Sequence, residues 1–339
     1  MRLTKRNIEK FRNYIINSKH ITLITHNNPD GDAIGSSTGM YNYLKELDKD
    51  VVLVIPNSTP ASLGFLLVGV DYINAERDFK KVKARFDETD LFIILDMANN
   101  SRAGENIEKL LNESSVDKVL LDHHENPAKY NLVFSEPKAS SACEIVYRVL
   151  GKIENKKVFS KSISQSLYSG LLTDTGSFSY SCDNTDVYSI ASNLLKSGLV
   201  PSKLHQKIFD TYSYNRLSLL GYAISNKLRF FPKERAAFIW LSKEDLFKYH
   251  YEPGDLEGVV NYCLKLEEVD FCALLSERDG RVRMSFRSND ASIDVNKFAN
   301  KYWNGGGHIM AAGGKSFEKI NDVVEKLTQQ IKNKDFISE

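Results

Sequence analysis

Three short apolar runs that each stop on a residue able to do chemistry constrain this chain more than any other feature. Residues 21–25 (ITLIT) lead into His26, residues 91–95 (LFIIL) into Asp96, and residues 118–121 (KVLL) into Asp122; a further run, 51–55, lies between the first two. Each is short, rich in Ile, Leu and Val, and separated from the next by enough chain for a crossover helix, the signature of buried parallel strands. The pattern predicts an α/β fold whose N-terminal part is a mainly parallel sheet flanked by helices. In open sheets of this kind ligands bind outside the carboxyl ends of the strands, so the three residues are expected to converge on one cleft.

The 339 residues are enough for two domains with a core each. Ile8, Phe11, Tyr14 and Ile15 fall at helical spacing near the start, and helical patterns return in SSACEIVYRVL and SISQSLYSGLLTD. Beyond a hinge expected near 225–235, strand character appears in AAFIWLS, VDFCALLSE and RVRMSFRS. Asp279-Gly280 between the last two is a hairpin signal, and a final helix is expected over about 318–333. We expect a first domain over 1–190, a helical connector over 191–230 and a smaller α+β domain over 231–339, with the active site in the cleft between the two domains.

Lys and Arg number 45 against 44 Asp and Glu, a formal charge of +1, which excludes a uniformly basic nucleic-acid coat; polyanion binding has to be local. Cys143, Cys182, Cys263 and Cys272 form no CxxC pair and read as free thiols of a reducing cytoplasm. No stretch approaches the ~18 apolar residues of a membrane span, and the N-terminus lacks an apolar signal core, so a cytoplasmic location without a membrane partner is expected.

Five segments carry chemistry. His26-Asn27-Asn28-Pro29-Asp30-Gly31-Asp32 follows a strand and opens a helix. Its imidazole and two carboxylates offer nitrogen and oxygen ligands without sulfur, which suits Mn²⁺ or Mg²⁺ better than structural zinc. A polar turn with Asp30 or Asp32 as N-cap explains the same residues. Asp96 and the triplet Asp122-His123-His124 end strands, where an Asp is often a turn residue. Gly170–Phe178 adds Asp174, although a helix C-terminus stopped by Gly176 reads the same way. Carboxylates from four segments in one cleft repel unless cations neutralise them or some are protonated; two divalent ions satisfy that need. In the second domain Gly305-Gly306-Gly307-His308 permits close backbone approach, and a helix start there would offer N–H groups to phosphate.

HNNPDGDAIGS, LDMAN, LDHH and GLLTDTGSF, in this order, resemble the four motifs of the DHH phosphoesterase superfamily. RMSFRSNDASIDVNKFANKYWNGGGHIMAAGG resembles its associated substrate domain. The resemblance covers roughly residues 20–315 and is nearest to the branch of nano-RNases and 3′-phosphoadenosine-5′-phosphate (pAp) phosphatases. It implies that His26 and Asp30 hold one Mn²⁺, that Asp32, His123 and Asp174 hold a second, and that Asp96 bridges them, with Mg²⁺ as substitute. It further implies that Asp122 orients a neighbouring histidine, that His124 lies beside the phosphate as donor or acid, and that Arg287 and His308 grip a substrate phosphate, with Gly306 and Gly307 allowing the approach. Asn304 departs from the family pattern, which often has another glycine there.

The implied activity is a Mn²⁺-dependent phosphohydrolase that degrades short oligoribonucleotides to mononucleotides and removes the 3′-phosphate of pAp, by two-metal displacement with a metal-bridging hydroxide. The implied partners are short RNA and the adenosine bisphosphate, with a homodimer as a family-level expectation. The rivals are a phosphodiesterase for pApA or cyclic di-AMP and, from another class, a non-catalytic nucleotide-binding regulator, against which the complete ligand set speaks.

Overall fold

The four apolar runs form the centre of a six-stranded sheet. In the computed structural model, which describes residues 3–180, 182–290 and 292–337, the chain divides into two units after Thr211. The first runs α1 (Lys5–Asn17), β1 (His20–Ile24), α2 (Gly31–Glu46), β2 (Asp50–Ile55), β3 (Tyr72–Asn74), α3 (Phe79–Glu88), β4 (Leu91–Leu95), α4 (Glu105–Glu113), β5 (Lys118–Asp122) and β6 (Leu132–Ser135). Four helices follow: α5 (Ala142–Glu154), α6 (Lys161–Asp174), α7 (Thr185–Leu195) and α8 (Pro201–Phe209). The strand order is β3-β2-β1-β4-β5-β6, and every pairing is parallel.

Alternation along the strands sends side chains to both faces. Leu23, Leu53 and Ile93 join a core with Ile34 of α2, Ile145 of α5 and Leu167 of α6. Ile24, Val54 and Ile94 join another with Val82 and Phe86 of α3 and Ile107 and Leu111 of α4. The chain grows outward from β1 to β3, then returns to β4 on the other side of β1. The carboxyl ends of β1 and β4 therefore flank the topological switch point, where such sheets bind ligands.

Helices α2 and α6 meet through glycine. A Cβ on Gly35 would stand 2.6 Å from the Ser166 carbonyl oxygen, and one on Gly170 would stand 2.3 Å from Cys143 Sγ and 3.1 Å from the Asp32 Cα. Only a residue without a side chain lets these backbones approach so closely. That approach sets the first turn of α2, with Asp32, beside the last turn of α6, with Asp174.

The second unit comprises α9 (Tyr214–Asn226), β7 (Leu228–Phe231), β8 (Ala236–Leu241), α10 (Lys243–Lys248), β9 (Phe271–Arg278), β10 (Arg281–Ser288), α11 (Val295–Tyr302), β11 (Gly306–His308), β12 (Ala311–Ser316) and α12 (Ile320–Lys332). Its sheet, ordered β11-β12-β10-β9-β8-β7, is antiparallel except for the β8–β9 pair. Phe238, Phe271 and Phe286 pack on one face with Phe298 of α11 and Leu327 of α12, and Ile239 and Leu274 pack on the other with Leu219 of α9.

The stretch 191–230 is shared: α7 and α8 belong to the first unit and α9 to the second. The glycine-rich segment differs from its expected local form. Residues 306–308 are a strand paired with β12, so no helix start presents N–H groups there. The glycines serve that close pairing: Gly307 has φ +157° and a Cβ on it would stand 2.5 Å from the Ala311 carbonyl oxygen. Arg287 lies opposite Ala311 on β10 and His308 opposite Ala311 on β11, which places the two on neighbouring strands of β12. All four cysteines are free and buried. Among the described residues no helix is long and apolar enough to cross a membrane.

Candidate metal centre

The loop after β1 carries His26. Its Nδ1–H donates to the Asn27 carbonyl (3.0 Å), which turns Nε2 toward Asp96 Oδ2 at 3.3 Å and Asp30 Oδ1 at 3.9 Å. Asp30 is the N-cap of α2, accepting from the amides of Asp32 and Ala33 at 3.0 Å each. The capping reading and the ligand reading thus fall on one side chain, whose Oδ2 the cap does not use. His123, just past β5, repeats the device of His26. Its Nδ1–H donates to the Ala139 carbonyl (3.4 Å), and Nε2 faces Asp96 Oδ1 at 3.5 Å, Asp174 Oδ2 at 3.6 Å and Asp32 Oδ2 at 3.8 Å. Fixing one ring nitrogen on a carbonyl so that the other is aimed is how proteins orient ligating histidines.

Asp32 is held from a distance in sequence. The amides of Ala142 and Cys143 donate to its two oxygens at 2.6 and 2.9 Å, so the carboxylate sits on the N-terminus of α5, whose own cap is Ser141. Asp96 leaves β4 with φ +55°, a left-handed conformation that an Asp tolerates better than most side chains. The bend aims its carboxylate at three imidazoles: His26, His123 and, at 3.5 Å, His124 Nδ1. Asp122 accepts from His124 at both oxygens, from the amide at 3.1 Å and from Nδ1–H at 2.7 Å, and so orients His124 rather than His123.

The charges are strongly coupled. Burial, with Asp96 and Asp174 nearby, raises the Asp32 carboxyl well above the usual range, and burial raises Asp174 to about 7. Burial opposes ionisation of Asp96 as well, yet contact with His123 and His26 outweighs it and holds this carboxyl well below its ordinary value. The same pairs raise His26 and His123 against the burial that would lower them. Burial and mutual repulsion thus oppose full ionisation of these carboxylates, and a bound cation would favour it.

Among the described residues of the first unit three groupings of ligand atoms are tight enough for a cation: the two that hold the expected metal ligands, His26 with Asp30 and Asp96 and Asp32 with Asp96 and His123, and a third of Asp96 with Asp122 and His124; Asp96 belongs to all of them. Among the described residues His26 Nε2 and Asp96 Oδ1 are buried without a hydrogen-bond partner, as ligand atoms awaiting a cation are. The donor set and its geometry fit divalent metal. The structure brings together His26, Asp30, Asp32, Asp96, Asp122, His123, His124 and Asp174. Arg287, Gly306, Gly307 and His308 stand in the second unit, on β10 and β11.

The "DHH family, N-terminal domain" model matches residues 20–171, and the "DHHA1 domain" model matches residues 238–333. A Streptococcus mutans protein named "Probable bifunctional oligoribonuclease and PAP phosphatase NrnA" is 30% identical over 92% of this chain and 94% of its own. The chain belongs to the DHH family. As a member it is a phosphoesterase, a hydrolase, with the family's Asp-His-His triplet at Asp122, His123 and His124. A crystal structure of an exopolyphosphatase-related protein from Bacteroides fragilis superimposes with a TM-score of 0.92 at 31% identity, covering 98% of each chain. The Bacillus subtilis cyclic-di-AMP phosphodiesterase GdpP is 24% identical over 94% of this chain, which spans 48% of that protein.

Several parts of this DHH site carried no signal in its motifs. The Asn27 and Ala139 carbonyls and the Ala142 and Cys143 amides are backbone groups, whose roles depend on tertiary placement. Arg102 is different: it follows Asp96 by six residues in the same loop and reaches His124 Nε2 through Nη1.

Proposed function

We propose that this DHH phosphoesterase is a Mn²⁺-dependent hydrolase of short oligoribonucleotides, releasing mononucleotides, and of the 3′-phosphate of pAp. The observation that carries the reading is the pair of histidines, His26 and His123, each tied by Nδ1 to a carbonyl with Nε2 turned into a nest of carboxylates. The names of its DHH relatives supply the substrate class. His26 and Asp30 would hold one ion, Asp32, His123 and Asp174 the other, and Asp96, common to both groupings, would lie between them. Bound there, divalent ions polarise phosphoryl oxygens and lower the pKa of water.

The chain's own groups do the rest. Asp122 fixes the ring of His124, and in this reading His124 would lie beside the phosphoryl group. In this reading Arg287 and His308, with Gly306 and Gly307 beside them, bind a second phosphate of the substrate. Such contacts position a nucleotide without reading its base, so sequence preference is weak. A cytoplasmic homodimer is the form in which we expect the enzyme to act.

The test is one panel: pAp, pApA, cyclic di-AMP and RNA of two to five and of about twenty nucleotides, each with Mn²⁺ and with chelator. Turnover of pAp and the shortest RNAs, abolished by chelator, supports the proposal. Cleavage confined to pApA or cyclic di-AMP would move the enzyme to second-messenger turnover, and binding without cleavage would make it a nucleotide-binding regulator.

A further inference from the structure

Arg102 stands at the edge of a centre crowded with carboxylates, yet among the described residues it forms an ion pair with none of them. Two acids of the centre that adjoin His124 are engaged elsewhere, Asp122 with the amide and Nδ1 of His124 and Asp96 with the histidines. The guanidinium rests instead on His124 Nε2. Because Nδ1–H of that ring donates to Asp122, Nε2 presents a lone pair and Arg102 is the donor. A guanidinium carries five N–H donors in a rigid fork and stays charged at any working pH, so a neutral imidazole leaves it both undersupplied with acceptors and uncompensated in charge.

Its backbone is fixed. Asn99 caps the single turn Asn100–Ala103 through Oδ1, the Tyr130 hydroxyl donates to Asn100 Oδ1 at 2.8 Å, and the Asn27 amide donates to the Arg102 carbonyl at 2.7 Å. The last contact joins this turn to the loop that carries His26. A half-buried cation is thus built onto both sides of the candidate metal centre with its charge unspent.

We propose that Arg102 is a substrate-binding residue that donates to a non-bridging oxygen of the reacting phosphoryl group, and that His124 holds the guanidinium ready until that group arrives. The inference rests on the phosphohydrolase reading above. Planar recognition of phosphate by arginine is directional, and lysine does not reproduce it.

The experiment uses the full-length protein loaded with Mn²⁺, as wild type, Arg102→Ala, Arg102→Gln and Arg102→Lys. Affinity for inorganic phosphate and for AMP is measured by calorimetry, bound metal by elemental analysis, and kcat and KM with pAp. We expect phosphate and AMP to bind at least about tenfold more weakly to the Ala and Gln variants, with the Lys variant between them and wild type, at unchanged metal content and melting temperature. Phosphate affinity within about twofold of wild type in the folded variants overturns the assignment, as does a loss of metal that accounts for the weaker binding. If Arg102→Ala does not fold, the Gln and Lys variants decide. A wild type that cleaves pAp beside variants that bind phosphate normally rejects Arg102 alone, whereas a metal-loaded wild type that cleaves no phosphate ester rejects the phosphohydrolase reading itself.

Discussion

Asp96 combines a strained backbone with a carboxylate common to both ligand groupings, and substitutions can separate the two. Asn keeps the side-chain shape and accepts a left-handed φ, while Ala pays roughly 1 kcal/mol or more for it. We expect both Asp96→Asn and Asp96→Ala to lose metal and turnover, with the lower melting temperature in the Ala variant; elemental analysis and calorimetry check this. Asp122→Asn removes an orienting carboxylate instead, and turnover should fall about 10–100-fold while bound metal is largely retained. In the second unit Asp245 accepts from Lys227 Nζ at 2.6 Å, the Tyr222 hydroxyl at 2.8 Å and the Ser242 amide at 2.9 Å. Burial would raise this carboxyl, but the contacts with Lys227, the Ser242 amide and Tyr222 together outweigh it and lower it. A lowered folded-state value means that the stabilisation is complete above the ordinary carboxylate range of about 4 and fades as pH falls through the lowered value. Asp245→Asn should therefore cost about 2 kcal/mol at pH 7, and denaturant melts at successive pH values should show the gap to wild type closing in acid.

Among the elements, the four central strands were legible because each is a short, closed apolar run. The outer ones were not: β3 is three residues long with none buried, and β6 alternates without a turn signal of its own. The Asp279-Gly280 hairpin was legible from two residues and forms with φ of +55° and +71° there. The motif residues were legible as a set. What holds them was not, since a helix cap such as Ser141 says nothing about which distant carboxylate will lie on the amides behind it. The contact between α2 and α6 shows the same limit, because Gly35 and Gly170 look like ordinary motif glycines until their neighbours are known. Gly35→Ala puts a methyl against the Ser166 carbonyl oxygen, which cannot rotate away as a side chain would. We expect a loss of about 1–3 kcal/mol together with weaker metal binding, because Asp32 and Asp174 are carried at the facing ends of these helices; melting and metal titration of the same variant test both.

At the scale of the whole molecule each unit has its own sheet, with a hydrophobic cluster on either face. Every proposed metal ligand lies in the first unit. A fragment of residues 1–211 should therefore still bind divalent metal, with a melting temperature that rises as metal is added, by about 2.7 kcal/mol of stability at a concentration a hundred times Kd. A fragment that folds yet takes up no metal would show that the centre needs more than these residues. The order in which the ligands occur along the chain sets a timetable for a protein being made on a ribosome. His26 leaves first, Asp96 and His123 follow after whole crossovers, and Asp174 closes the set only when α6 is complete. An ion at the second position meets no full set of the proposed ligands before that point. The second ion therefore rewards a first unit that is already assembled, whereas the ligands of the first are all present once β4 has been made.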